Sequence, residues 1–120
     1  MNYIRVSVEV GSRGSEHLET MDAMVDTEST YTWIPRDVLE RLGVVPEEQW
    51  PFESADGRKA HYSVAWVQIK LGVRVQPTIA VFGEIGSEPV LGVMTLQQFL
   101  LAVDPVRRRL IPVPGLLKAS

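Results

Sequence analysis

The chain has 120 residues, 45% of them hydrophobic and 22% charged, the balance of one soluble globular domain over residues 1–120 and too short for two catalytic domains. Cysteine is absent, which excludes disulfides, thiolate nucleophiles, iron–sulfur clusters and cysteine zinc sites, and with only His17 and His61 a zinc site would need carboxylates to complete it. Twelve basic against fifteen acidic residues leave a formal net charge of -3, so no nucleic-acid partner is expected. Met1 to Val6 lacks a charged leader followed by an apolar stretch and cleavage site, so a cytoplasmic location is expected. The apolar runs are short and interrupted, far below the ~20 residues of a membrane-spanning helix, and no membrane partner is expected.

From Ile4 to Val10 apolar and polar residues alternate strictly, the period of a half-buried strand, and the run from Gly11 to Ser15 reads as a turn. A second extended run, His17 to Val25, completes an opening hairpin and delivers the chain to Asp26-Thr27-Glu28-Ser29-Thr30. Pro35 suits a first helical position, Val38, Leu39 and Leu42 share one face, and Gly43 supplies the stop, which predicts a helix of about two turns. Asp56-Gly57 favours a tight hairpin tip between Phe52–Ala55 and Lys59–Tyr62. The returning strand changes its buried side near Trp66 and Val67, which predicts a bulge or a strand covered on both faces. After a turn at Gly72-Val73-Arg74 comes a strand from Val75 to Phe82. Pro89-Val90-Leu91-Gly92 then leads into a short helix, Val93 to Leu100, with Val93, Leu96, Phe99 and Leu100 inward, and a hairpin turning at Asp104-Pro105 closes the chain. Six or seven strands and two helices predict a mainly antiparallel β domain.

Asp26 is the best-placed candidate for acid–base chemistry: it ends an apolar strand, and Thr27, Ser29 and Thr30 follow it. The same pattern also describes an ordinary Asx turn capped by hydroxyls. Other polar residues have structural readings. Asp37 suits a helix dipole, Asp56 and Asp104 suit turns, Arg107-Arg108-Arg109 suits a solvated edge, and His17 and His61 suit the surface. Trp33, Trp50 and Trp66 are expected as core or interface anchors.

Taken in order, Ala23-Met24-Val25-Asp26-Thr27-Glu28-Ser29-Thr30 resembles the active-site segment of single-lobe, retroviral-type (retropepsin-like) aspartic proteases, with Glu28 where their Asp-Thr-Gly motif has glycine. Ser54-Ala55-Asp56-Gly57 is similar to the flap of the bacterial and archaeal members, and Glu88-Pro89-Val90-Leu91-Gly92-Val93 to their second signature. The segments from Leu101 to Pro105 and from Arg109 to Pro114 match as well, so the resemblance runs from about Ile4 to Pro114. It implies a closed, barrel-like β lobe of the acid-protease type with two short helices. It implies peptide-bond hydrolysis by a homodimer without a cofactor or metal, acting on a peptide or protein substrate.

On that resemblance Asp26 from each copy meets at a two-fold axis and shares one proton with its mate. Thr27 cross-links the two loops, and Glu28, Ser29 and Thr30 complete each loop. Ala55, Asp56, Gly57 and Arg58 form the flap over substrate, Val90, Leu91 and Gly92 back the site, and the termini interlock as strands. Glu28 separates two outcomes, an active peptidase and a dimeric protease-like domain that keeps a peptide groove without hydrolysis. Near the axis Glu28 makes four carboxylates in a dimer, which cannot all ionise.

Overall fold

Strands β1 (Ile4–Ser12) and β2 (Glu19–Val25) pair antiparallel from Ile4 opposite Val25 to Val10 opposite Glu19. Their alternation sends Val8, Val10, Ala23 and Val25 into the core and leaves Arg5, Ser7 and Asp22 outside. The computed structural model describes residues 4–115. Its other strands are β3 (Thr32–Pro35), β4 (Glu48–Glu53), β5 (Lys59–Leu71), β6 (Arg74–Gly83), β7 (Val90–Leu91), β8 (Leu101–Asp104) and β9 (Arg109–Pro112); the helices are α1 (Arg36–Arg41) and α2 (Val93–Gln98). The surplus over six or seven strands comes from β3 and β7, four and two residues long, too short for alternation to register.

Six strands close a barrel in the order β1-β2-β7-β3-β6-β5, with β5 returning to β1. Most neighbours are antiparallel, while β2–β7 and β3–β6 run parallel. Closure leaves β4 as the one strand of this sheet paired outside the ring, on the N-terminal part of β5. Inward side chains from the ring, among them Ile34, Ala65, Val67, Ile69, Ala80, Phe82 and Leu91, meet Leu39 of α1 and Leu96 and Phe99 at the end of α2. No helix among the described residues is long and apolar enough to cross a membrane.

β5 contains no bulge. Lys59 to Val64 pair with β4 and Val64 to Leu71 pair with β6, both in unbroken register, and the buried side changes because the partners change. Val64 and Ala65 are both buried at the handover, the second of the two alternatives the sequence offers.

Two helix boundaries differ from expectation. Pro35 is still extended (ψ 138°) and paired with Gly83 in the β3–β6 ladder, so it precedes α1 and the helix begins at Arg36. Gly43, at φ 80°, ends α1: its N–H reaches Glu40 O at 3.0 Å and the Val44 N–H reaches Leu39 O at 2.9 Å, a left-handed turn that satisfies two terminal carbonyls. Leu100 takes the same role after α2 at φ 55° and is exposed rather than inward. The predicted interlocking terminal strands fall partly on residues 1–3 and 116–120, outside the described residues; within them, β8 and β9 form a separate antiparallel hairpin.

Candidate active site

The parallel β2–β7 ladder carries the chain to residues 26–30. The Met24 N–H donates to Pro89 O at 2.9 Å and the Asp26 N–H to Leu91 O at 3.0 Å. Asp26 is half-buried; its Oδ1 accepts the Glu28 N–H at 2.9 Å and its carbonyl accepts the Ser29 N–H at 3.2 Å. The loop is thus an Asx turn, and the structural reading of Asp26 describes its local geometry without competing with a chemical role.

The hydroxyls that follow Asp26 in the sequence do not bond its carboxylate. Ser29 Oγ donates to Tyr31 O at 2.8 Å, and the side chains of exposed Thr27 and Thr30 make no hydrogen bond among the described residues. The turn instead gives the carboxylate one main-chain donor, the Glu28 N–H.

What holds the loop is the start of α2. A helix begins with N–H groups that lack intrahelical partners. Here Val93 N–H donates to Ser29 O at 2.8 Å and Met94 N–H to Thr30 O at 3.0 Å, so the loop serves as the helix cap. Gly92 makes the approach possible. Its backbone is ordinary (φ -92°, ψ 171°), but a Cβ there would collide with the Tyr31 carbonyl and lie 2.8 Å from Thr30 O. Leu91 and Gly92 therefore lie against the loop, and Val90 pairs with Met24 and Trp33 on either side of it.

Behind Gly92 runs a row of buried hydroxyls that the sequence did not single out. Gly92 N–H donates to Thr32 Oγ1 at 3.1 Å, Thr32 Oγ1 lies 2.6 Å from Thr95 Oγ1, and Thr95 Oγ1 lies 3.1 Å from Thr78 Oγ1. Thr78 in turn donates to Gln98 Oε1 at 2.6 Å, and the Gln98 amide is oriented by its Nε2–H to Pro77 O at 3.4 Å. Each hydroxyl has a single proton, so the last bond sets the direction of the rest: Thr32 donates to Thr95 and Thr95 to Thr78. The signal available in the sequence was parity, since Thr32 shares the inward face of β3 with Ile34.

The β4–β5 hairpin overhangs this loop. Its turn spans Ser54 to Arg58, with Ser54 N–H donating to Arg58 O at 2.8 Å and Gly57 N–H to Ser54 O at 2.9 Å. Only Gly57 in the turn has positive φ (86°), so the tip is a three-residue turn with a glycine bulge rather than a two-residue turn on Asp56-Gly57. Asp56 Oδ1 accepts from the Ser54 hydroxyl and, at 3.2 Å, from the Arg58 N–H; Oδ2 pairs with Arg58 Nε at 3.0 Å. These bonds, the Ser54 hydroxyl first, hold the Asp56 carboxyl below its ordinary pKa.

Between loop and hairpin lies an open cleft of about 670 Å³. Glu28, Ser29 and Thr30 line one side, and Ser54, Arg58 and Lys59 the other; Ala55, Asp56 and Gly57 at the tip do not reach it. Aromatic rings floor it. Tyr31 and Trp33 alternate on one face leading into and along β3, as do Trp50 and Phe52 on β4, and the sets meet edge-to-face: Tyr31–Trp50 at 5.4 Å, Trp33–Phe52 at 5.2 Å and Trp33–Tyr62 at 4.9 Å between centroids. Trp33 thus lies in the cleft floor, whereas Trp50 packs on Tyr31 beside it and lines, together with Trp66, a smaller hollow of about 170 Å³; Trp66 is partly exposed, with the Arg13 guanidinium 5.7 Å above its ring. His17 and His61 are exposed, Asp104 caps its turn through the Val106 and Arg107 N–H groups, and Asp37 sits in the first turn of α1. Among the described residues no three His, Asp or Glu side chains converge on a point that could hold a metal ion.

The barrel is similar to two solved proteases. EIAV protease, in complex with the inhibitor HBY-793, matches with a TM-score of 0.63 at 16% identity, over 82% of this chain and 88% of that one. Simian foamy virus (mac) protease matches with a TM-score of 0.54 at 16% identity, over 78% of this chain and 94% of that one. These likenesses show the fold. No curated protein matches the sequence. The family described as "gag-polyprotein putative aspartyl protease" matches residues 16–98, a span that begins before β2, contains the Asp26 loop, the hairpin and Gly92, and ends with α2. On that match over most of its length, the chain belongs to the retropepsin-like aspartic protease family.

Proposed function

We propose that this protein hydrolyses peptide bonds as a homodimer, each copy a single retropepsin-like domain over residues 1–120 that contributes one Asp26, and that it sits in the bacterial and archaeal branch with Glu28 at the motif glycine. The observation that carries the reading is Asp26 on a loop bonded at Asp26 to β7 and at Ser29 and Thr30 to α2, whose residues Glu28 to Thr30 line a cleft opposite the hairpin.

One Asp26 per chain is half of what the chemistry needs. Two carboxyls about 3 Å apart hold one proton between them because both cannot ionise, a pairing general to aspartic proteases. The ionised Asp26 takes a proton from water as the water oxygen bonds to the scissile carbonyl carbon. The protonated Asp26 of the second copy gives its proton to the carbonyl oxygen, and a tetrahedral diol results. Return of a proton to the amide nitrogen and cleavage of the C–N bond release an amine and a carboxylic acid. Thr27, with its hydroxyl uncommitted, is suited to bond the partner loop, and the hairpin excludes bulk water when it closes over substrate.

Glu28 favours one specific alternative, a dimeric domain that binds peptides without cleaving them. Cleavage of an unstructured peptide library by the purified protein, abolished by Asp26→Asn with circular dichroism unchanged, supports hydrolysis. Equal cleavage by the Asp26→Asn protein would remove Asp26 from the mechanism, and peptide binding without cleavage by the wild type would select the alternative.

A further inference from the structure

Four charged residues line the cleft, and the three on the hairpin have partners there: Arg58 Nε pairs with Asp56 Oδ2 at 3.0 Å and Lys59 Nζ with Glu53 Oε1 at 3.8 Å. Glu28, on the opposite side, is exposed. Its N–H is spent on Asp26, and its carboxylate has no ion-pair or hydrogen-bond partner among the described residues. Beside it the floor of the cleft is aromatic, with Trp33, Phe52 and Tyr62 in mutual contact. A carboxylate at the edge of an aromatic floor suits a cation on an apolar stem, because the stem covers the rings while the head meets the anion. A neutral side chain would desolvate the carboxylate without replacing its water, and an acidic one would add a like charge.

We infer that Glu28 is a specificity-determining residue that selects peptides carrying lysine or arginine next to the bond positioned at Asp26. The inference rests on the peptidase reading for the word "bond" but not for the binding, which allows the two to be tested apart. It also assigns the residue at the motif glycine a contact with substrate rather than with the dyad.

The probes are three decapeptide pools of otherwise uncharged residues, identical except for lysine, norleucine or glutamate at one central position; norleucine keeps the alkyl stem and lacks the ammonium. Binding is measured by calorimetry to the Asp26→Asn protein, in which peptides persist, and cleavage is measured with the wild type. The expected result is preference for the lysine pool by about tenfold in both, falling close to parity on Glu28→Gln and turning toward a glutamate-bearing pool on Glu28→Lys. Parity in the protein that carries Glu28, a preference unchanged by Glu28→Gln, or no binding of any pool overturns the inference. Lysine-selective binding with no cleavage upholds it while rejecting hydrolysis, and unselective cleavage does the reverse.

Discussion

Thr32 shows how much a single hydroxyl can hold. It accepts from Gly92 N–H and donates to Thr95 in the buried row, so its loss leaves a main-chain donor and a threonine oxygen without partners. Thr32→Val keeps the side-chain shape, and the expected cost is about 1–3 kcal/mol in urea unfolding, from the stranded groups rather than from a cavity. Thr30→Val, at an exposed position, is expected to stay within about 0.5 kcal/mol. Equal effects from the two substitutions would show that the row is not a structural unit. At this scale the sequence reveals Asp26 and Gly92 through their motifs and the inward side of Thr32 through alternation. It does not reveal that Thr78 and Thr95 complete the row, because those partners come from strands and helices far along the chain.

The hairpin shows what a run of residues does that its members do not. Its stems carry aromatic rings and its tip carries Asp56, whose exposed carboxylate bonds Ser54 and Arg58. A carboxyl whose pKa is depressed in the folded state stabilises it fully above the unfolded value, and this contribution is lost as pH falls through the folded value. The tip is therefore expected to be insensitive to pH from neutrality to about pH 5, and to loosen below the ordinary aspartate value of about 3.9. Amide exchange of Gly57 and Arg58, normalised for intrinsic rates, measures this. Asp56→Asn should give a tip already loosened at neutral pH, without the acid-dependent step. An acid step that survives the substitution would locate the titrating group elsewhere. The turn was legible in Asp56-Gly57, whereas the tryptophans read only as core or interface anchors, because the rings that meet Trp33 in the cleft floor, Phe52 and Tyr62, come from other strands. The change of partners along β5 was not legible, since the same alternation serves a bulge and a handover.

For the molecule as a whole, closure of the barrel depends on β5 meeting β1, residues near 68 pairing with residues near 11, a contact between distant parts of the chain that no local pattern specifies. The family motifs make the lobe legible where periodicity does not. A lobe with one Asp26 predicts an assembly whose stability depends on concentration: if dimerisation accompanies folding, the thermal midpoint rises with protein concentration and sedimentation at tens of micromolar gives twice the chain mass of 13.4 kDa. A 13.4 kDa species throughout that range, with a fixed midpoint, would contradict the dimeric mechanism. Asp26→Asn should leave both measurements unchanged.

The placement of the three tryptophans also makes this barrel its own optical gauge. Trp33 is on β3 in the cleft floor, Trp50 is on β4 of the hairpin, and Trp66 lies on the far part of β5, outside the cleft floor. Displacement of the hairpin by a ligand alters the surroundings of the first two indoles directly and reaches the third only through the hollow it shares with Trp50. Intrinsic emission is therefore expected to change on peptide binding most nearly as in the wild type in Trp66→Phe, and by less in Trp33→Phe and in Trp50→Phe. A signal that disappears with Trp66 would mean that ligands are felt at the barrel wall instead of the gate. No external label is needed to time the opening and closing of the cleft.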